Sequence, residues 1–401
     1  MPKNKRPVAR KPADAPEHKD EQTLRELCQL ALNLSEQEDP DTMGEVLRDQ
    51  AEDFQRLVRK LINQQKDELL YGAVEQARDE DVDAYVYLRG AIEEAAGNLL
   101  YRREGAPTLE VDAFAIPLFV HSTGGLDPAR DFQDGEAYEA LVDSFKQAEL
   151  ESAAARVVLI RHAYDIKEID AITYSRLAAM VRDATTSMTE KKLVAVPALE
   201  RSMSGWAPTA FAAGDSAVEL RFLLGFALKR ADDPFYRAPK EEVASDLYFA
   251  ERMARYQKWT EQYAPLVRRC LAGEQAEQIS LNFLYQDLFF GAKEQALAEY
   301  ATLQMLSELN QALQASGVAP EQASAVVGPA DVDYRMLLRV QLTGPDGAVI
   351  GASDKPLDLA ADLEQEVDDV RDALDSIGVH RLAVARRFDA QGNPMDLQQL
   401  Q

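Results

Sequence analysis

One apolar run sets the terms for what this chain can fold into. Val111–Val120 reads VDAFAIPLFV, a buried-type strand, and it leads directly into His121, Ser122, Thr123, Gly124 and Gly125. Before it the pattern is helical; after it, strands and helices alternate. A strand that ends in hydroxyls and glycines is where α/β proteins often place a binding site. That makes the end of this strand the first place to look for chemistry.

The segment before the run has helix periodicity. Leu24, Leu27, Cys28, Ala31 and Leu34 fall at steps of three and four, and Met43, Val46, Leu47, Phe54, Leu57, Val58, Leu61 and Ile62 form a broader stripe. Two further stripes run through Leu69–Ala77 and Tyr85–Leu99. Such spacing puts each set on one helix face. The short polar joints between them favour an antiparallel bundle. Residues 1–20 carry six basic against three acidic side chains and four prolines, which reads as a disordered tail able at most to touch an anion or RNA weakly.

Downstream, Gly135–Glu151 reads as a helix, Arg156–Ala163 as a strand, and Ala171–Met188 as a helix, with a short edge strand expected at Leu193–Leu199. The order then returns: strand Glu219–Leu228, a long helix or helix pair over Glu241–Leu271 kinked or divided at Pro265, strand Gln278–Phe290, helix Ala292–Ser316. In the long helix Val243, Leu247, Ala250, Met253, Ala254 and Tyr256 are expected to pack inward. The polar breaks Tyr164–Asp165 and Gln286–Asp287 resemble each other, so either a duplication or common strand–helix alternation produces the repeat. Gly344–Pro345–Asp346–Gly347 is a hairpin turn, since proline presets one turn angle and glycine accepts positive φ. An acidic amphipathic helix spans 359–377, ended by Gly378, and a strand follows. The expected fold class is α+β: a helical N-terminal region, then a duplicated strand-helix-strand-helix body with mixed sheets. The expected divisions are 1–20, 21–105, 106–215 and 216–401.

Charge narrows the partners. Sixty-nine acidic against 44 basic side chains give a net charge of −25, which repels nucleic-acid phosphates and anionic membranes. No run approaches the ~20 apolar residues of a membrane span, and the N-terminus has no apolar signal core, so a cytoplasmic location is expected. Cys28 and Cys270 sit at helical spacing among apolar residues and read as small core residues.

Three short motifs carry a family likeness. Asp83–Ala84–Tyr85 is followed by Ala91–Ile92–Glu93; Asp112–Ala113 leads to Ser122–Gly124; Asp333–Tyr334–Arg335 opens the late hairpin. This layout resembles a family of conserved proteobacterial proteins, mainly betaproteobacterial, classified as a domain of unknown function. The resemblance covers about residues 80–390. It implies a bacterial cytoplasmic protein and supplies no catalytic residues to carry over. Members of the family carry cysteines near the C-terminus that this chain lacks.

Candidate site residues come from the strand ends. If strands 111–120 and 156–163 are parallel neighbours, His121, Ser122, Thr123 and Gly124 meet His162 and Asp165. That group would suit an anion, a divalent metal, or a base acting on Ser122. Asp165 and Asp287 would pair across a duplicated body, or simply cap helices. Arg201–Trp206 reads as a loop bearing an aromatic residue. No spacing matches a Walker loop, a dinucleotide fingerprint, a nucleophile elbow or a zincin helix, so no cofactor or metal is assigned. The function expected is binding or regulation through a small anionic ligand, a protein partner or a second copy. The contact surfaces expected are helix 359–377 and the N-terminal helices. The alternative is a hydrolase or transferase using His121 and Asp165.

Overall fold

The computed structural model describes residues 16–35, 44–122, 132–189, 218–333 and 335–399. They divide into two compact units, one of residues up to Ala96 with 174–176, the other of the remainder. The chain is α+β, with the N-terminal helices first. Among the described residues no helix is long and apolar enough to cross a membrane.

The first unit contains α1 (Pro16–Ser35), α2 (Glu45–Asn63), α3 (Asp67–Glu80) and α4 (Val82–Gly97), the last residue falling in the second unit. The apolar stripes read from the sequence form its core: Leu27, Ala31, Phe54, Val58, Leu70, Ala73, Leu88 and Ile92 are buried. Helix α1 starts at Pro16, so the expected tail boundary at residue 20 lies inside a helix. Proline is at home in a first turn, where its missing N–H would have no partner anyway. Cys28 is packed in this core and its Sγ faces the Ala73 carbonyl at 3.4 Å. Burial pushes its thiol up to about 11, which suits a core residue and not a nucleophile.

The second unit is built on two sheets. The first holds β1 (Asn98–Tyr101), β2 (Leu109–Ser122), β3 (Arg156–Tyr164), β4 (Glu219–Arg230), β5 (Ile279–Phe283) and β6 (Asp287–Leu288). Strands β2 and β4 are its centre, antiparallel from Leu109 opposite Arg230 to Val120 opposite Glu219. Strand β3 lies outside β4, while β1, β6 and β5 share the far side of β2. The helices between them are α5 (Gly135–Gln147), α6 (Ile166–Asp170), α7 (Tyr174–Thr189), α8 (Glu242–Ala272) and α9 (Phe289–Ser316). The path β2–α5–β3 steps over β4, and β4–α8–β5 steps over β2. Two split β-α-β crossovers therefore interlock in one sheet.

Both faces of this sheet are covered. Phe114, Ile116, Leu118 and Val120 meet α5 and α8; Val111, Ala113, Ala115 and Phe119 meet α7 and α9. That explains why β2 reads as a continuous apolar run and lacks alternation. The interlocking also means that the boundary expected at 215/216 divides one sheet between two halves. It does not separate folding units.

The second sheet runs in the order β11 (Pro394–Gln399), β10 (Leu382–Phe388), β7 (Ser324–Val332), β8 (Arg335–Thr343), β9 (Val349–Pro356). It is mixed, because β10 is parallel to β7 and the other pairs are antiparallel. The C-terminal half of α9, through Met305, Leu309 and Leu313, covers one face with α10 (Leu363–Ser376), through Val367, Val370 and Leu374. The expected hairpin turn is present, with Gly347 at φ 79° and its N–H donating to the Gly344 carbonyl at 2.9 Å.

Helix α8 is a single helix with Pro265 inside it, the first of the two forms expected. Its first turns depart from expectation by facing outward: Val243 is 76% exposed and Leu247 61%. At about 100° per residue, Val243, Leu247 and Ala254 lie opposite Tyr256 and Trp259, and those two aromatic side chains are the ones the core takes. The strand expected at Leu193–Leu199, the loop Arg201–Trp206 and the glycines after Ser122 lie outside the described residues.

Candidate functional site

The residues singled out in the sequence separate into three places. Strands β2 and β3 are parallel, as expected, but β4 runs between them. His121 follows Val120, which faces Glu219 on β4; His162 precedes Ala163, which faces Leu223. The two histidines are thus two strand spacings apart sideways, about 10 Å, and about six residues, roughly another 20 Å, apart along the strands. No single hydrogen bond or bridging water spans that. Ser122 is buried opposite Ile279, and His121 lies opposite Ser280. Thr123 and Gly124 lie outside the described residues.

His162 and Asp165 do come together, through a residue the sequence reading passed over. Glu168 Oε2 contacts His162 Nε2 at 2.9 Å and accepts from the Asp165 N–H at 3.0 Å. Asp165 accepts from the Glu168 N–H at 2.8 Å, which completes a capping box at the start of α6. Arg221, fully buried on β4, lies 3.6 Å from Asp165 and pairs with Glu219. These are contacts that hold a helix start and a strand end in place. Asp287 sits on β6, on the other side of β2, and its Oδ1 accepts from the Leu288 N–H at 2.7 Å. The two aspartates are three strands apart, about 14 Å, and form no shared site. Among the described residues no three His, Cys, Asp or Glu side chains converge as a metal-ligand set.

A cleft with cationic side chains at its lining lies at the opposite end of the same sheet. There the end of β1, the start of β2, the start of β3, the end of β4 and the end of α7 surround a cleft of about 290 Å³. Tyr101, Pro107, Leu109, Met188 and Leu228 give it apolar walls, and Arg103, Arg156, Lys229 and Arg230 bring cationic side chains to it. Among the described residues no aspartate or glutamate lines it.

The cations are not equivalent. Successive side chains of a strand point to opposite faces. Leu228 packs on the face of α7, so Lys229 turns to the other face. There its ammonium pairs with Asp112 and lies 4.5 Å from the centre of the Tyr236 ring. Lys229 therefore lines the cleft with its backbone and stem. Arg230 is held by Asp232 through two bonds, Nε at 2.8 Å and Nη2 at 2.7 Å. Arg156 donates from Nη1 to the Met188 carbonyl at 2.6 Å, satisfying a free carbonyl at the end of α7. Arg103 stands 6.0 Å over the centre of the Tyr101 ring. Neither Arg103 nor Arg156 has a carboxylate partner among the described residues.

Behind the cleft, on the Lys229 face, lies a buried acid. Tyr236 donates its hydroxyl to Glu151 Oε2 at 2.6 Å and accepts from the Ser152 N–H at 3.1 Å. Burial raises the Glu151 carboxyl above its ordinary range, against the lowering effects of Tyr236, Lys229 and Arg252. A carboxyl raised in the folded state binds more protons than in the unfolded chain, so its contribution favours folding at low pH and is lost as pH rises through the folded value. Glu151→Gln keeps an acceptor for Tyr236 and removes the charge. Thermal melts from pH 4 to 8 should show the variant gaining on the parent as pH rises, with the two curves converging at the acid end. A constant offset across that range would show that Glu151 is not the titrating group.

Sequence reading found none of these arginines. They are scattered from 103 to 230 in the chain and make no basic cluster. The only available signal was an arginine bordering each of several apolar strands, and it becomes a site only once the crossovers bring those strand ends to one edge. Comparison of the chain with protein-family models, with curated proteins and with solved structures found no match.

Proposed function

We propose that this chain is a binding or regulatory protein whose cleft between β1, β3, β4 and α7 takes a small anionic ligand. The observation that carries this is the pair of guanidiniums, Arg103 and Arg156, which line a cleft with no acidic side chain among its described lining residues, in a chain of net charge −25. Cations maintained against such a background concentrate anions locally. The reading includes a cytoplasmic location and a protein partner or second copy, in keeping with the likeness to the proteobacterial family. The outward apolar turn of α8, Val243 and Leu247, favours such a contact as a second mode of action.

A thermal-shift series at constant ionic strength tests the ligand reading, using phosphate, sulfate, acetate and small organic acids. A ligand present at 100 times its Kd stabilises the folded state by about 2.7 kcal/mol. At least one anion should raise Tm by a few degrees, and Arg103→Ala should abolish the rise. If no anion raises Tm, or if Arg103→Ala responds like the parent, the cleft is not an anion site.

A further inference from the structure

Resting on that reading, we infer that the cleft selects a doubly charged phosphate monoester on a small apolar body. The charges at the cleft favour a dianion. Arg230 is neutralised by its fork to Asp232, and Lys229 by Asp112 on the other face. That leaves the two positive charges of Arg103 and Arg156, matched by one dianion. A phosphate monoester carries about −1.5 to −2 charges at neutral pH.

The shape of the two cationic groups favours phosphate. Guanidinium is planar and presents parallel N–H groups that match two oxygens of one phosphate. Arg156 has one nitrogen committed to the Met188 carbonyl, which fixes the plane of the group before any ligand arrives. A pre-oriented fork loses less side-chain freedom on binding.

The remaining walls favour an apolar body. Apart from the arginines and Lys229, the polar side-chain atoms among the lining residues are the Tyr101 hydroxyl and the Thr189 hydroxyl, and Thr189 already donates to the Thr185 carbonyl at 2.7 Å. A hydroxyl-rich sugar would find few partners there. The walls Tyr101, Leu109, Met188 and Leu228 suit an aryl or short alkyl group. At about 290 Å³ the cleft is at the small end of ligand sites, too small for a nucleotide triphosphate.

Calorimetric titration of the full chain tests this, with phenyl phosphate, phenyl sulfate and phthalate as probes. Phenyl phosphate and phenyl sulfate have nearly the same shape, but sulfate esters carry one charge. Phenyl phosphate should bind at least tenfold more tightly than phenyl sulfate at pH 7.5. Its affinity should fall by up to about fivefold between pH 6 and 5, as the second phosphate proton (pKa near 6) returns. The ionisable side chains lining the cleft are arginine, lysine and tyrosine, types that do not ordinarily exchange protons in that window. Behind them the buried Glu151 is raised towards it, so the titration is repeated on Glu151→Gln; a fall in affinity that persists there reports the ligand, and one that disappears there overturns the phosphate assignment. Arg103→Ala should weaken phenyl phosphate at least tenfold while its far-ultraviolet spectrum and urea midpoint stay at the parent values. Arg156→Lys, which keeps a donor for the end of α7 but loses the fork, should also weaken it.

Equal affinity for phenyl phosphate and phenyl sulfate, or tighter binding of phthalate, would overturn the phosphate assignment and leave an anion site. Absence of binding by all three probes, with no response to the simpler anions, would overturn both readings. Binding unaltered by Arg103→Ala and Arg156→Lys would place any anion elsewhere on the chain and overturn this inference.

Discussion

Trp259→Ala should destabilise the protein by about 3–5 kcal/mol, read as a fall in the urea midpoint. Trp259 is fully buried at the centre of the α5–α8 side of the first sheet. Its ring meets Phe145 of α5 at 5.5 Å, Tyr256 of its own helix at 5.6 Å and Phe283 of β5 at 5.7 Å between centroids. Removing it leaves a cavity that three elements line and none can fill. Its indole N–H also donates to Ser144 Oγ at 2.8 Å, and Ser144 donates onward to the Leu141 carbonyl at 2.6 Å. Trp259→Phe separates the two losses. It keeps most of the volume and drops the hydrogen bond, so it should cost about 1–2 kcal/mol. A whole domain is held by only about 5–15 kcal/mol, so the alanine variant would lose a large share of its stability. A midpoint shift for the alanine variant no larger than for the phenylalanine variant would show that the cavity closes and that Trp259 does not join α5 to β5.

The same residue shows how far the fold was legible. The periodicity of α8 marks a helix, and the sequence shows several apolar stripes on it. Choosing the inward one needs knowledge of where the sheet lies, and the stripe through Val243 and Leu247 is as regular as the one through Tyr256, Trp259 and Tyr263. Local signals were read well where the cause is local: the Gly344–Gly347 turn, the α10 stripe, the buried β2 run. Strand neighbours depend on pairing across a hundred residues. The sequence places β3 after β2, and parallel neighbours are the simplest guess. The chain instead returns through β4 and inserts it between them. That one insertion separates His121 from His162, and it also brings Arg156 and Arg230 to the same edge.

The site was correspondingly harder to read than the fold. Asp165 stood out because an aspartate at a strand end can act on a substrate or cap a helix; its geometry fits the cap, with Glu168 completing the box. Arg103 and Arg156 did not stand out, because a single arginine next to an apolar strand is ordinary. Their meaning lies in the lack of a carboxylate partner among the described residues, and that lack cannot be read without the third dimension.

The second large effect is expected at Arg221. Arg221→Met should cost about 3 kcal/mol, at the low end for breaking a buried ion pair, since Glu219 and Asp165 retain some solvent contact. The arginine is fully enclosed on β4 while both carboxylates reach towards it from the sheet's end. Taking away the cation leaves those acids next to an apolar side chain, and the loss should appear in the urea midpoint with the m-value unchanged. Adding Glu219→Gln and Asp165→Asn to the Arg221→Met chain removes the stranded charges and should recover part of the loss. Asp165→Asn by itself keeps a capping side chain and should cost under about 1 kcal/mol. This cycle also bears on the hydrolase or transferase alternative. A base at Asp165 would lose its reaction on Asp165→Asn while stability barely moved. A brace would lose stability on Arg221→Met and recover it in the triple variant. No recovery in the triple variant would mean that Arg221 serves the fold by packing, with its charge pairing incidental.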